Sequence, residues 1–306
     1  MAVNNSLMQK KSEVGFTEYL TREAVKNQIT KVVGGKNSTR FISNIISAVQ
    51  INPQLQECTN NSILSAALQA ESLKLPPSPQ LGFVWMVPFN NKKKGVKEAQ
   101  FIVSAKGYKQ LAMRSGQYID IDCIYIKEGE YKGRDKYTGK QKFEFIEDDD
   151  ERENLPVIGY LAYLETKDGF KKQLYWSKTK MEKHADKYSQ AFSLKTAKLL
   201  EEGKIPQNEL WKYSSYWYTS FDEMAEKTMI KQLLSKWAIL TPDIADALES
   251  DNTTIGEDGN RNYIEVESPA LSTEMPTVDT TATEEPVQEQ PVPDQQQDIN
   301  DILFSN

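Results

Sequence analysis

Apolar residues recur at helical spacing in the first quarter of the chain and at strand spacing through its middle. Residues Phe16 to Val33 predict a helix ended by Gly34-Gly35. In "RFISNIISAV", Phe41, Ile42, Ile45, Ile46 and Val49 fall on one broad helical stripe. A third helix starts near Thr59–Asn61 and turns Ile63, Leu64, Ala67 and Leu68 inward until "LPPSP" stops it. Residues 1–14 are polar and expected to be flexible.

From "FVWMVPF" onward the period changes. That run and "QFIVSA" read as strands joined by "NNKKKGVKEA", a hairpin with an exposed cationic tip. A short helix over Lys106–Arg114 ends at Ser115-Gly116. "YIDIDCIYI" alternates, with Ile119, Ile121, Cys123 and Tyr125 on one face and Asp120 and Asp122 on the other. "KFEFIE" is another candidate strand, and "IGYLAYLETKDGFKKQLYW" is a hairpin turning at Asp168-Gly169. Helices return with "SKTKMEKHADKY" and "TSFDEMAEKTMIKQLLSKW". In the latter, Ser220 and Glu223 suggest a capping box, and Phe221, Met224, Ala225, Thr228, Leu233 and Leu234 point inward. A last helix spans Pro242 to Leu248. The expected fold class is α+β: a helical lobe, about 15–76, packed around a small antiparallel sheet with hairpins. The mixed part runs over 77–250, so the whole core is 15–250.

Beyond Asp251 the composition shifts to Thr, Glu, Gln and Pro, which predicts a disordered acidic tail over 251–306. Charge sharpens that boundary. The tail holds 13 Asp and Glu against one Arg, so residues 1–250 carry a net +5 although the whole chain stands at −7. The terminal "DINDILFSN" reads either as a partner-binding peptide or as an inert solubilising end. Two cysteines and one histidine are too few for a disulfide framework or a cysteine-histidine zinc site, and they suit a reducing cytosol. No stretch has signal-peptide character or the roughly 18 apolar residues of a membrane span. A soluble intracellular protein is expected.

Catalytic motifs are scarce. A single histidine removes most imidazole acid–base schemes, and no Ser, Cys or Asp sits in a nucleophile motif. "VVGGKNST" lacks the Walker spacing and reads as a helix stop and cap. "EDDDERE" reads as a solvated turn, with a nuclease metal site as the lesser alternative. His184 lies in a charged helix as a surface or interface residue. Cations, by contrast, cluster in the body: Lys92, Lys93, Lys94 and Lys97 at the hairpin tip, Lys106, Lys109 and Arg114 on the short helix. Lys171 and Lys172 lie beside a turn, and Lys227 and Lys231 stand one helical turn apart. Lining one surface, they would neutralise phosphates without any fixed motif. The plain alternative is a solvated surface or, for Lys227, an intrahelical pair with Glu223. "LWKYSSYWY" offers rings for packing between helices or for stacking on unpaired bases. Residues alone therefore point to a non-enzymatic α+β protein that binds single-stranded nucleic acid or another acidic polymer.

Four ordered stretches narrow this further. "NPQLQECTNNSILSAALQAESLKLPPSPQLGFVWMVPF", "QFIVSAKGYKQLAMRSGQ", "EKHADKYSQAF" and "FDEMAEKTMIKQLLSKW" resemble, in order and position, the RecT family of single-strand DNA annealing proteins of phages and prophages. The resemblance covers about residues 45–245. It implies ATP-independent annealing of complementary strands in recombination, on rings or helical filaments of subunits, with single strands held in a basic groove and annealed duplex as product. It also implies a bacterial cytoplasmic setting, a partner exonuclease, a host single-strand-binding protein and no required cofactor, with Mg²⁺ as a possible aid. Lys106 and Arg114 become the main groove candidates, joined by Lys227 and Lys231. The segment between Phe192 and Phe221 is longer than is usual for the family. A strand-coating or replication-accessory protein without annealing activity, and a scaffold protein, are the competing functions.

Overall fold

The computed structural model describes residues 15–91, 94–189, 191–255 and 261–263. The predicted first helix is two helices, α1 (Phe16–Thr21) and α2 (Glu23–Val33), separated by the extended backbone of Arg22. Gly34 ends α2 with φ +80°, a conformation that costs a glycine little, and the same residue opens α3 (Gly35–Ile51). The glycine pair is a helix junction, as its sequence suggested. Phe41, Ile45, Ala48 and Val49 form the buried stripe of α3, with Ile42 and Ile46 at its margins. A 3₁₀ turn, Pro53–Glu57, leads into α4 (Asn60–Ser72), which buries Ile63, Leu64, Ala66, Ala67 and Ala70.

The hairpin β1 (Val84–Asn91) and β2 (Val96–Val103) follows, then α5 (Ala105–Arg114) and β3 (Tyr118–Lys127). A short arm, β4 (Tyr131–Arg134) with β5 (Gln141–Phe143), precedes α6 (Asp149–Glu153). The long hairpin is β6 (Val157–Thr166) with β7 (Lys171–Ser177). Helices α7 (Lys178–Tyr188), α8 (Leu194–Glu201), α9 (Tyr216–Thr219), α10 (Phe221–Trp237) and α11 (Pro242–Ser250) complete the body. Two short strands, β8 (Thr253–Ile255) and β9 (Arg261–Tyr263), close the described chain. The strands form three antiparallel sheets, ordered β1-β2-β8-β9, β3-β6-β7 and β4-β5. The molecule is thus mixed helix and strand, with small antiparallel sheets.

Helix α10 organises the core. Tyr160, Ala162 and Leu164 pair across the ladder with Trp176, Leu174 and Lys172, so these six share one face of the sheet. That face meets α10, where the Tyr160 hydroxyl donates to Asp222 at 2.5 Å. On its other side α10 packs against α5. Consequently Ala225, Thr228, Met229, Ile230, Leu233 and Leu234 are all buried.

Four expectations need correction. A bulge between Tyr118 and Asp120 removes Ile119 from the alternation, leaving it 54% exposed while Tyr118 takes the inward place. Of "KFEFIE" only Lys142 and Phe143 are strand, at the end of β5, because its partner β4 begins at Tyr131, opposite Phe143. Ser220 opens α10 without a side-chain cap hydrogen bond, so the capping box does not form. The body also continues past Asp251. The Asn252 N–H donates to Phe101 O at 3.0 Å and Thr253 pairs with Phe101, adding β8 to the edge of β2. "EDDDERE" folds into α6, capped by Asp148, which accepts from the Glu151 N–H at 2.9 Å.

Candidate nucleic-acid interface

The eleven cations singled out in the sequence, with three lysines that the structure adds, fall into two populations. Lys92 and Lys93 lie outside the described residues. Of the other nine singled out in the sequence, seven face carboxylates. Lys94 pairs with Glu98 at 2.8 Å, Lys97 with Glu57, and Lys171 with Glu165 at 2.8 Å. Lys109 bridges Asp122 at 2.7 Å and Glu226 at 2.8 Å, tying α5 to β3 and α10. Arg114 joins the carbonyl of Leu73 at 2.7 Å to Asp243 at 2.8 Å, a staple between the ends of α4 and α11.

Lys227 and Lys231 are buried, which corrects the expectation that they project together from an exposed helical face. Asp251 is fully buried between them, 3.1 Å from Lys227 Nζ and 2.8 Å from Lys231 Nζ. It also accepts from the Val103 N–H at 2.8 Å, while Asn252 Oδ1 accepts from Lys227 at 3.1 Å. Helical spacing placed the two lysines on one face correctly. That face looks into the molecule, because the segment after α11 returns to cover it. Glu223 is not the partner of Lys227.

The second population sits on aromatic rings. Lys106 Nζ lies 5.3 Å from the Phe83 ring centre, Lys178 6.0 Å from Phe221, and Lys180 4.3 Å from Trp176. Lys172 and Lys236 share Trp237, at 4.7 and 5.9 Å. Among the described residues none of these five ammonium groups forms an ion pair. Such cation–ring contacts are worth about 0.5–1 kcal/mol at exposed sites, enough to orient an ammonium but not to neutralise it.

Three of the five converge. Lys172 reaches Trp237 from β7, Lys236 reaches it from the end of α10, and Lys180 comes from α7 onto Trp176 beside them. Burial and then the nearby charge of Lys236 hold the Lys180 amine below the ordinary lysine pKa. Like charges gathered on indole rings without a carboxylate are stabilised by an incoming anion. The local fold explains the placement: Lys172, Leu174 and Trp176 alternate onto the α10 face of β7, and Ser177 caps α7 by accepting from the Lys180 N–H at 3.2 Å. His184 packs behind this patch, its ring 5.0 Å from Trp176 and 4.7 Å from Tyr188.

Lys106 and Lys172 are among the cations singled out in the sequence, whereas Lys178, Lys180 and Lys236 are not. A signal was present: lysines flank two tryptophans, in "YWSKTK" and "SKW". Comparison with known proteins now decides the family. A sequence model described as the RecT family matches residues 39–265. The chain belongs to the RecT family.

This RecT-family chain is 33% identical over 281 residues to "Uncharacterized protein YqaK" of Bacillus subtilis (strain 168), covering 90% of this chain and 85% of that protein. It is 27% identical over 242 residues to "Protein RecT" of Escherichia coli (strain K12), covering 76% of this chain and 78% of the other. Membership makes it a DNA-binding recombination protein of the strand-annealing kind. The family match runs through the ring-seated lysines and past Asp251, in agreement with a body that includes β8.

The aromatic run 211–218 divides between its two readings. Trp217 is buried against Phe221, ring centres 5.4 Å apart, and Tyr218 accepts from the Ser193 N–H at 2.8 Å. These two pack the core, while Trp211 and Tyr216 are 73% and 50% exposed. Among the described residues, no group of His, Cys, Asp and Glu is placed to hold a metal ion, and no helix is long and apolar enough to cross a membrane.

Proposed function

We propose that this protein binds single-stranded DNA without sequence preference through Lys172, Lys180 and Lys236, and anneals complementary strands without ATP. The carrying observation is the convergence of these lysines on Trp176 and Trp237 with no carboxylate to neutralise them. Phosphate contacts of this kind supply affinity and leave base edges free, so Watson–Crick pairing selects the second strand. No bond is made or broken; acceleration comes from proximity and alignment. Lys106 and Lys178 are further carboxylate-free cations available to the same backbone. Arg114, Lys109, Lys227 and Lys231 serve the fold instead. Family resemblance supports a homo-oligomer, ring or filament, working in a bacterial cytoplasm beside an exonuclease and a single-strand-binding protein. No cofactor is required, and Mg²⁺ acts at most as an aid to pairing.

The test follows duplex formation between a labelled oligonucleotide and its complement, with and without the protein, in the absence of ATP. Faster pairing with a retained protein–duplex complex is the expected result. Binding without acceleration would make the protein a strand coat, and no binding would leave a scaffold whose basic patch meets acidic protein.

A further inference from the structure

The β4–β5 arm is the most cationic element that the interface above leaves unexplained. Residues 131–143 carry Lys132, Arg134, Lys136, Lys140 and Lys142 against Asp135 alone. Lys142 pairs with Asp135 at 3.1 Å and Lys132 with Glu144 at 3.3 Å. Among the described residues Arg134, Lys136 and Lys140 have no ion pair. At the tip stands Tyr137, 99% exposed, with both ring faces open to solvent.

The turn that presents this ring is tightly built. Asp135 Oδ1 accepts from the Tyr137 N–H at 3.0 Å, the Thr138 N–H at 2.8 Å and the Thr138 hydroxyl at 3.0 Å. Those bonds, the Thr138 N–H foremost, and Lys142 hold its carboxyl down at about 2. Arg134 Nε donates to Gly139 O at 2.8 Å, and Gly139 takes φ +68° where a Cβ would press on the guanidinium at 2.9 Å. The foot is equally fixed. Tyr131 stacks on Tyr175 at 4.9 Å, and buried Glu130 accepts from Arg152 Nε at 2.6 Å and the Lys127 N–H at 2.8 Å. Tyr175 and Trp176 are consecutive on β7 and point to opposite faces, so the arm stands across the sheet from the lysine–tryptophan patch.

A rigid support for a bare aromatic ring, flanked by three unneutralised cations, matches one chemistry closely: planar bases joined by phosphates. We propose that the β4–β5 arm is a second contact for an unpaired nucleic-acid strand, in which Tyr137 stacks on a base while Arg134, Lys136 and Lys140 meet the neighbouring phosphates. This rests on the single-strand binding proposed above but uses a different face. Stacking of this kind tolerates any base, as an annealing protein requires.

The experiment uses the full chain and an oligonucleotide carrying 4-thiothymidine, cross-linked by light and digested with trypsin. The expected cross-link falls on the peptide Tyr137–Lys140, released by cleavage after Lys136 and Lys140. Tyr137→Ala should weaken binding about fivefold or more, while Tyr137→Phe keeps it near wild type. Cross-links elsewhere only, with Tyr137→Ala binding normally, would overturn the arm contact and leave the patch standing. A Tyr137→Ala variant that changes assembly size but not strand affinity would instead assign the arm to a second copy of the chain. If the wild-type chain binds no oligonucleotide, the single-strand reading fails and the arm contact with it.

Discussion

Two regions of α10 carry the same residue type to opposite ends. In its middle, Lys227 and Lys231 are buried around Asp251; at its end, Lys236 is exposed on Trp237. The middle passes between a sheet and α5, and the segment after α11 seals the remaining side. A lysine survives there only with a carboxylate against it, since an unpaired buried charge is prohibitive. The end emerges into solvent, where an ammonium keeps its hydration and needs only a ring to orient it. The difference teaches that a lysine's role follows from whether a carboxylate reaches it, not from how many lysines surround it.

Removing the carboxylate attacks the buried side most severely. Asp251→Ala leaves two buried ammonium groups without it and should cost about 3–5 kcal/mol in urea unfolding. An unchanged midpoint would mean that the β8 segment is not fastened to α10. On the exposed side, Lys172→Gln, Lys180→Gln and Lys236→Gln combined should lower the salt slope of single-strand binding by about 2, at roughly 0.7 per phosphate contact, with the urea midpoint kept. A slope equal to wild type would move the groove elsewhere.

A smaller effect comes with pH. Because the Lys180 pKa lies below that of an ordinary lysine, its charge is lost first as pH rises, and strand binding should weaken from the alkaline side earlier than for an unperturbed lysine. Lys180→Arg, permanently charged, should flatten that decline; an unaltered profile would exclude Lys180 from the contact. In the fold the sign is reversed. A depressed lysine pKa favours the neutral folded form, so this group's contribution to stability improves as pH rises through its folded value. Smallest of all, Lys171→Ala removes a solvent-exposed pair with Glu165 and should leave melting temperature and salt slope at wild type.

Much of the fold was readable because burial imposes a period. The stripe of α3, the inward face of α4 and the β6–β7 hairpin with its Asp168-Gly169 turn lie where alternation placed them. Departures arose where a local choice depended on a distant partner. Ile119 left its face because the ladder to β6 inserts a bulge, and β4 exists only as the partner of β5. Composition marked Asp251 as tail, yet its carboxylate is demanded by Lys227 and Lys231, more than five helical turns earlier in the chain.

By itself the sequence determined the helical and strand periods, the basic body set against an acidic C-terminal region, and the family, through motifs kept in order. Those are properties of neighbours along the chain. Only the tertiary structure decided which cations are neutralised and which remain open. Lys109 meets Glu226, Arg114 meets Asp243 and Lys231 meets Asp251 across loops and sheets, whereas Lys172, Lys180 and Lys236 meet indole and one another's field. Charge interacts through space over a few ångströms, and periodicity reports only which face a residue occupies, never what lies opposite it.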